Sequence, residues 1–180
     1  MLIAAFGLTA CGKHRNEEAR VQHLEIEGHY LSLGDLKYQV QGSRQLNPDD
    51  EQDRSYLVGV PPAELELKSN EVWFGVFMQV ENESSEPLAP TGDIEIVDTQ
   101  EEIFKPLPID ESNQFIYRST DPIPPGEILP LPDTPAFDTP VRGSLLLFKL
   151  SIASLDNRPL ELKIEGNQTP KQTGIIDLDV

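Results

Sequence analysis

The sequence has few of the residues on which many binding and redox sites depend. Its 180 residues include one cysteine, three histidines and two methionines. A single cysteine excludes an internal disulfide, a cysteine-rich zinc site and an iron–sulfur cluster. One methionine is Met1, so Met78 alone cannot supply the methionine cluster of a copper chaperone.

Basic residues and catalytic motifs are also scarce. There are 14 Lys and Arg against 31 Asp and Glu, which gives a net charge of −17. Nucleic acids require a basic surface, so we expect no nucleic-acid partner. The chain has no Gly-x-Ser-x-Gly elbow, no Walker loop and no dinucleotide glycine fingerprint. The sequence therefore predicts a protein that is not an enzyme and uses no cofactor.

The start of the chain is its most informative segment. Residues 2–8 form an uncharged apolar run that is too short for a transmembrane helix but suits the core of an export signal. The run ends in Leu8-Thr9-Ala10-Cys11, which resembles the lipobox of bacterial lipoproteins. That resemblance implies cleavage between Ala10 and Cys11 and a diacylglyceryl group on the Cys11 thiol. The alternative is an N-terminal strand with a buried free cysteine.

This resemblance sets the predicted organisation of the chain. Residues 1–10 would be the signal peptide, residues 11–28 a flexible lipidated tether, and residues 29–180 the folded domain. No Lys or Arg precedes the apolar run, so we expect either a translation start upstream or an unusually short signal. The protein would then be exported and anchored at the extracytoplasmic face of a bacterial cell membrane. The spacing of His14, His23 and His29 fits no common metal pattern, and we interpret these residues as incidental.

The rest of the chain alternates apolar and polar residues with period two, which is typical of half-buried strands. Residues 160–165 are the clearest example. Residues 72–80 are more apolar and predict a central strand, with Trp73 buried between two sheets. Eleven of the 16 prolines lie between Pro87 and Pro140, which predicts loops and short edge strands there. The predicted fold is all-β, an antiparallel β-sandwich of seven to eight strands.

Four motifs make this sandwich similar to an immunoglobulin-like family of bacterial surface proteins. They are the apolar strand that runs into Glu-Asn and a polar turn (72–87), Ile-x-Ile-x-Asp (94–98), Pro-Pro-Gly (124–126), and Gly before an aliphatic-Phe-Lys strand (143–149). The family includes the secreted mycobacterial immunoprotective antigen and lipoprotein domains of unknown function. The resemblance implies an immunoglobulin-like fold and no catalytic residue. Residues 46–69 depart from the pattern and predict an inserted loop.

Two possible ligand sites remain open. The acidic segment 47–53 places oxygen atoms at Asn47, Asp49, Glu51 and Asp53 with the alternate spacing of calcium loops, although it lacks their glycine and final glutamate. The competing interpretation is a solvated acidic loop. Aromatic residues in loop-like segments offer a sugar platform or, alternatively, plugs for the ends of the core: Tyr56, Phe104, Phe115, Tyr117 and Phe137.

Taken together, the sequence predicts a non-enzymatic surface lipoprotein. It would contact the membrane through the lipid on Cys11 and bind an envelope or extracellular protein. The alternative is a carbohydrate- or small-ligand-binding module that serves a transporter or a hydrolase. An exposed pair of aromatic residues beside carboxylates would favour the alternative.

Overall fold

The computed structural model describes residues 20–178, which form two β-sheets packed face to face. The strands are β1 (Arg20–Leu24), β2 (Leu31–Leu33), β3 (Leu36–Leu46), β4 (Glu71–Asn82), β5 (Ile94–Val97), β6 (Ile103–Phe104), β7 (Ile128–Leu129), β8 (Ser144–Ser151), β9 (Leu160–Glu165) and β10 (Gln172–Leu178). One helix, α1 (Glu51–Tyr56), lies between β3 and β4. Short 3-10 turns occur at Pro62–Glu64 and Ala153–Leu155. The predicted all-β sandwich is confirmed.

The first sheet is built around β4. Its strand order is β2-β3-β4-β7, and β8 also pairs with β4. Every pairing between these strands is antiparallel. The alternation of β4 places Phe74, Val76 and Met78 on one face and Trp73 and Phe77 on the other. Both faces are buried, which explains why the apolar run has no wet side.

The second sheet has the order β1-β10-β9-β5-β6. All of its pairs are antiparallel except β1 with β10, which run parallel. The ten strands exceed the predicted seven to eight because the short segments β6 and β7, two residues each, also pair. Both lie in the proline-rich region, where residues without an N–H limit strand length.

The predicted end of the tether at residue 28 is wrong. Arg20–Leu24 is a strand rather than free chain, and it pairs with β10 from Arg20 opposite Gln172 to Leu24 opposite Ile176. This strand forms because β9 covers only one edge of β10, so the other edge is open to pairing with β1. Leu24 also packs against the core. The segment has five residues, few of them apolar, so its hydrophobic periodicity is too weak to predict a strand.

The main core lies between the two sheets. Its largest fully buried side chains come from the facing strands of both sheets, including Tyr38, Phe74, Met78, Ile96 and Phe148. The clean alternation of residues 160–165 is confirmed, because Leu160, Leu162 and Ile164 point inward with no exposed surface.

A second core covers the opposite face of β4. Trp73 and Phe77 pack there with Leu145 and Leu147 of β8 and with Leu46, Tyr56 and Val60 from the segment 46–69. Trp73 is therefore buried, at 2% exposure, but the prediction that it lies between the sheets is wrong. Position 73 has the opposite parity to the inward residues of β4. The inserted segment is a lid over this face.

We expect Phe77→Ala to destabilise the domain as much as Phe74→Ala does, by about 3–5 kcal/mol each, because each removes a buried ring from one of two packed cores. Chemical denaturation followed through Trp73, the only tryptophan, measures both. Ile152→Ala is the control, since Ile152 is 48% exposed and its loss should change the unfolding free energy by no more than about 0.5 kcal/mol. If Phe77→Ala unfolds like the control, the lid is not packed on β4.

Candidate functional site

The predicted lipidation and cleavage positions, Cys11 and Ala10, lie outside the described residues. Within residues 20–178, no helix has the length and apolar character needed to cross a membrane. The candidate sites described below therefore belong to the folded domain alone.

The acidic segment 47–53 is the start of a helix. Asp50 caps α1, and its Oδ1 accepts the backbone N–H groups of Gln52 at 2.9 Å and Asp53 at 3.0 Å. The buried carboxylate of Asp53 accepts two hydrogen bonds from the Arg44 guanidinium, one of them at 2.9 Å, and a third from the Asn47 N–H at 2.8 Å. These hydrogen bonds and the Arg44 charge lower the pKa of Asp53.

The calcium hypothesis for this segment is therefore corrected. Asp53 is turned inward to Arg44, the Asn47 side-chain oxygen accepts the Asp49 N–H at 3.1 Å, and Asp49 and Glu51 remain exposed. Among the described residues, the carboxylates of Asp49, Glu51 and Asp53 do not converge on a common point. The alternate spacing of oxygen atoms comes from a capped helix rather than from a cation loop.

The proline-rich region forms a pocket of about 360 Å³, called the proline pocket below. Prolines cannot donate to a ladder, so this part of the chain crosses the sheet edge as irregular segments. Backbone hydrogen bonds fix them to β8, from Tyr117 N–H to Leu145 O at 2.9 Å and from Leu145 N–H to Phe115 O at 2.7 Å. The apolar part of the lining consists of Ile116, Pro122, Leu129, Pro130, Leu131, Pro135 and Ala136.

One side of the proline pocket is charged. Among its described lining residues, Arg118 and Asp121 are the only ionisable side chains. The Arg118 guanidinium lies 3.8 Å from the Asp121 carboxylate and donates to the Glu111 carbonyl oxygen at 2.8 Å. The Asp121 side chain is 58% exposed and that of Arg118 is 40% exposed, so both reach solvent at the side of the apolar floor. This arrangement can bind an apolar group and orient a polar neighbour.

The two tyrosines among the loop aromatics, Tyr56 and Tyr117, pack inside the domain. Tyr56 is 1% exposed and makes edge-to-face contacts with Phe77 and Phe115, at ring-centroid distances of 5.1 and 5.0 Å. Tyr117 is also buried, and its hydroxyl donates to the Thr91 carbonyl oxygen at 2.8 Å. Tyr30 is the one aromatic residue with a large exposed surface among residues 20–178. The described part of the chain thus offers no exposed pair of rings for a sugar.

A cluster that the sequence did not reveal lies on the outer face of the second sheet. His23 Nε2 is 2.6 Å from Asp177 Oδ1, and Glu161 lies beside both. The hydrogen bond to Asp177 raises the pKa of His23. Sequence reasoning missed this cluster because its residues come from three separate strands. The interpretation of His23 as incidental does not account for this contact.

No protein-family model matches the sequence, and no curated protein matches it. Solved structures do resemble the fold. The yjhA protein from Bacillus subtilis is 10% identical, with 87% of this chain and all of that chain covered, at a TM-score of 0.58. A functionally unknown protein from Listeria monocytogenes EGD-e is 11% identical, with 87% and 84% covered, at a TM-score of 0.55.

An uncharacterized beta-sandwich protein from Clostridium difficile 630 is also similar. It is 13% identical, with 92% of this chain and 99% of that chain covered, at a TM-score of 0.50. At these identities the likeness shows the β-sandwich fold alone. The immunoglobulin-like family relationship and the lipobox stay predictions.

The Asp53–Arg44 pair predicts a defined pH dependence. Because the folded-state pKa of Asp53 lies below its ordinary value of 3.8, the stabilisation is complete above that value and is lost as the pH falls through the folded-state pKa. Asp53→Asn should therefore lose about 1–3 kcal/mol of unfolding free energy at pH 7. Denaturation at lower pH should show the gap to the parent closing.

Asp49→Asn is the matched control for this measurement, because Asp49 is an exposed carboxylate in the same segment. It should unfold like the parent at every pH. Millimolar calcium should raise the melting temperature no more than magnesium does. A calcium-specific rise that both variants abolish would instead restore the cation loop.

Proposed function

We propose that the protein is a non-enzymatic, exported lipoprotein whose β-sandwich binds a protein partner in the cell envelope or outside the cell. Cys11 carries the lipid, and the proline pocket receives an apolar side chain of the partner. The immunoglobulin-like resemblance of the sequence supports this proposal, because such sandwiches are common on cell-surface proteins.

The proline pocket is the observation that carries the binding half of the proposal. Its volume of about 360 Å³ accommodates one large side chain, and its floor is mostly apolar. Protein interfaces concentrate their affinity in such anchor pockets and surround them with a polar rim. Arg118 and Asp121 supply a rim with both signs of charge.

A small ligand is the second candidate occupant. The pocket volume falls within the range of about 300–1,000 Å³ that small-molecule sites have, and the charged pair at its side can orient a polar group. A sugar fits less well, because Tyr56 and Tyr117 are packed inside the domain rather than presented to solvent.

The anchoring half of the proposal rests on Leu8-Thr9-Ala10-Cys11. Two acyl chains on one sulfur give stable membrane attachment, at about 0.8 kcal/mol per buried methylene, where one chain does not. Mass spectrometry of the protein from its natural membranes should show residues 1–10 removed and a diacylglyceryl mass on Cys11. Cys11→Ala should leave the precursor uncut and unmodified. A free Cys11 thiol on membrane-derived protein would contradict the anchor.

Leu131→Arg tests the binding half, because it places a charge on the apolar floor of the proline pocket. We expect cross-linking in intact cells to join the parent protein to a partner and to lose that adduct in Leu131→Arg. Ile152→Arg, an exposed apolar position outside the pocket lining, should keep it. Melting curves establish that both variants fold.

Two other outcomes decide between the occupants. If the parent gives no adduct but a small metabolite raises its melting temperature, and Leu131→Arg abolishes that rise, the pocket is a small-ligand site. If all three proteins give the same adduct, the partner binds elsewhere on the domain.

A further inference from the structure

Three neighbouring strands bring one imidazole and two carboxylates together on the outer face of the second sheet. His23 is on β1, Asp177 on β10 and Glu161 on β9. The nearest ligand atoms of the three side chains all lie within 4.8 Å of one another. Over residues 20–178, this is the one group of three or more His, Cys, Asp and Glu side chains that converges in this way.

The strand register creates this convergence. Asp177 stands directly opposite Glu161 in the antiparallel β10–β9 pair. In the parallel β1–β10 pair His23 is opposite Ile175, which is two residues from Asp177 and therefore on the same face. The cluster thus depends on backbone pairing along three strands rather than on loops, and it is held in place by the sheet.

The charges of the cluster are unusual for this face. Like charges directly opposite each other on adjacent strands are destabilising. Elsewhere on the same sheet the acids are matched by lysines: Glu95 lies 2.5 Å from Lys105, and Glu165 lies 3.4 Å from Lys171. Among the described side chains, no lysine or arginine lies within 4 Å of the Asp177 or Glu161 carboxylates.

Within residues 20–178, His23 is the one basic side chain that forms an ion pair with a carboxylate of this acidic pair. Its side chain is 45% exposed and that of Asp177 is 19% exposed, so an ion can reach the cluster from solvent. A neutral imidazole with two carboxylates is a donor set suited to divalent transition cations such as Zn²⁺. Calcium and magnesium favour oxygen ligands alone.

We propose that His23, Asp177 and Glu161 form a surface binding site for a divalent transition cation, with Zn²⁺ as its probe. The ion would replace the direct contact between His23 and Asp177 and would neutralise the repulsion between Asp177 and Glu161. Three protein ligands leave the remaining coordination positions to water. Such an ion would join β1 to β10 and β9, and so fasten the first described strand of the domain to the sheet.

The test uses the full chain with Cys11→Ser, so that the one thiol cannot bind the metal. Titration calorimetry should give one Zn²⁺ per chain, and Zn²⁺ should raise the melting temperature, because a ligand that binds only the folded state stabilises it. Equal concentrations of Ca²⁺ or Mg²⁺ should not reproduce that rise. If Zn²⁺ neither binds nor stabilises this protein, the proposal is wrong.

Glu161→Gln is the decisive variant. Without metal it should melt at or above the parent temperature, because it removes the repulsion with Asp177, yet it should weaken Zn²⁺ binding at least about tenfold, the smallest loss seen when even an outer partner of a metal ligand is removed. His23→Gln should weaken binding similarly. His29→Gln, at an exposed histidine outside the cluster, should bind Zn²⁺ like the parent.

The variants also separate this site from other histidines. If Glu161→Gln and His23→Gln both keep the affinity of the parent, the ion binds elsewhere and the proposal fails. Should His23→Gln lose stability because β1 detaches, Glu161→Gln still decides the matter, since its effects on metal-free stability and on Zn²⁺ affinity have opposite signs.

Discussion

The fold depends on β4, a strand with no free edge along most of its length and no wet face. β3 pairs with one edge and β8 with the other, while Phe74 faces one core and Phe77 the other. Packing on the outer side is tight, because a Cβ atom at Gly143 would lie 2.8 Å from the backbone carbonyl carbon of Phe77. A two-sheet sandwich normally exposes the outer faces of its sheets. Here both faces of the sheet that contains β4 are buried. The second sheet covers one face, and segments that connect the strands must cover the other.

Irregular segments can cover an apolar face only if their own polar groups find partners. Two buried asparagines meet that requirement. The Asn113 amide donates to the carbonyl oxygens of Tyr56 and Val58 at 2.9 and 2.8 Å, and so ties the lid to the proline-rich region. The Asn82 amide donates to the carbonyl oxygens of Glu86 and Ile123, both at 2.8 Å. Asn82 belongs to the Glu-Asn motif, so part of the resemblance to a surface family has a physical role in holding the turn after β4.

Local periodicity explains what the sequence could predict and what it could not. Residues 160–165 and 72–80 show their burial pattern in the chain itself, so the sandwich and its central strand followed directly. The six-residue α1 is too short to show a helical period. The oxygen-bearing side chains at 47, 49, 51 and 53, which lead into this helix, therefore resemble the spacing of a calcium loop in the sequence. The prediction that Trp73 lies between the sheets is wrong because periodicity separates the two faces of a strand but does not show what packs on each face. His23 and Asp177 are 154 residues apart, and only strand pairing brings them together.

If Cys11 carries the proposed lipid, the early start of β1 limits how far the domain can lie from a membrane. With the proposed anchor at Cys11, eight residues (12–19) lie between the lipidated cysteine and Arg20, so nine Cα–Cα steps join the two. A fully extended chain covers at most about 3.3–3.6 Å per residue, so this connection can span at most about 32 Å. A tether that ran to residue 28 would have nearly doubled that distance. The sandwich would therefore work close to the lipid surface, and its partner would have to be a membrane neighbour or a molecule that approaches within roughly one domain diameter.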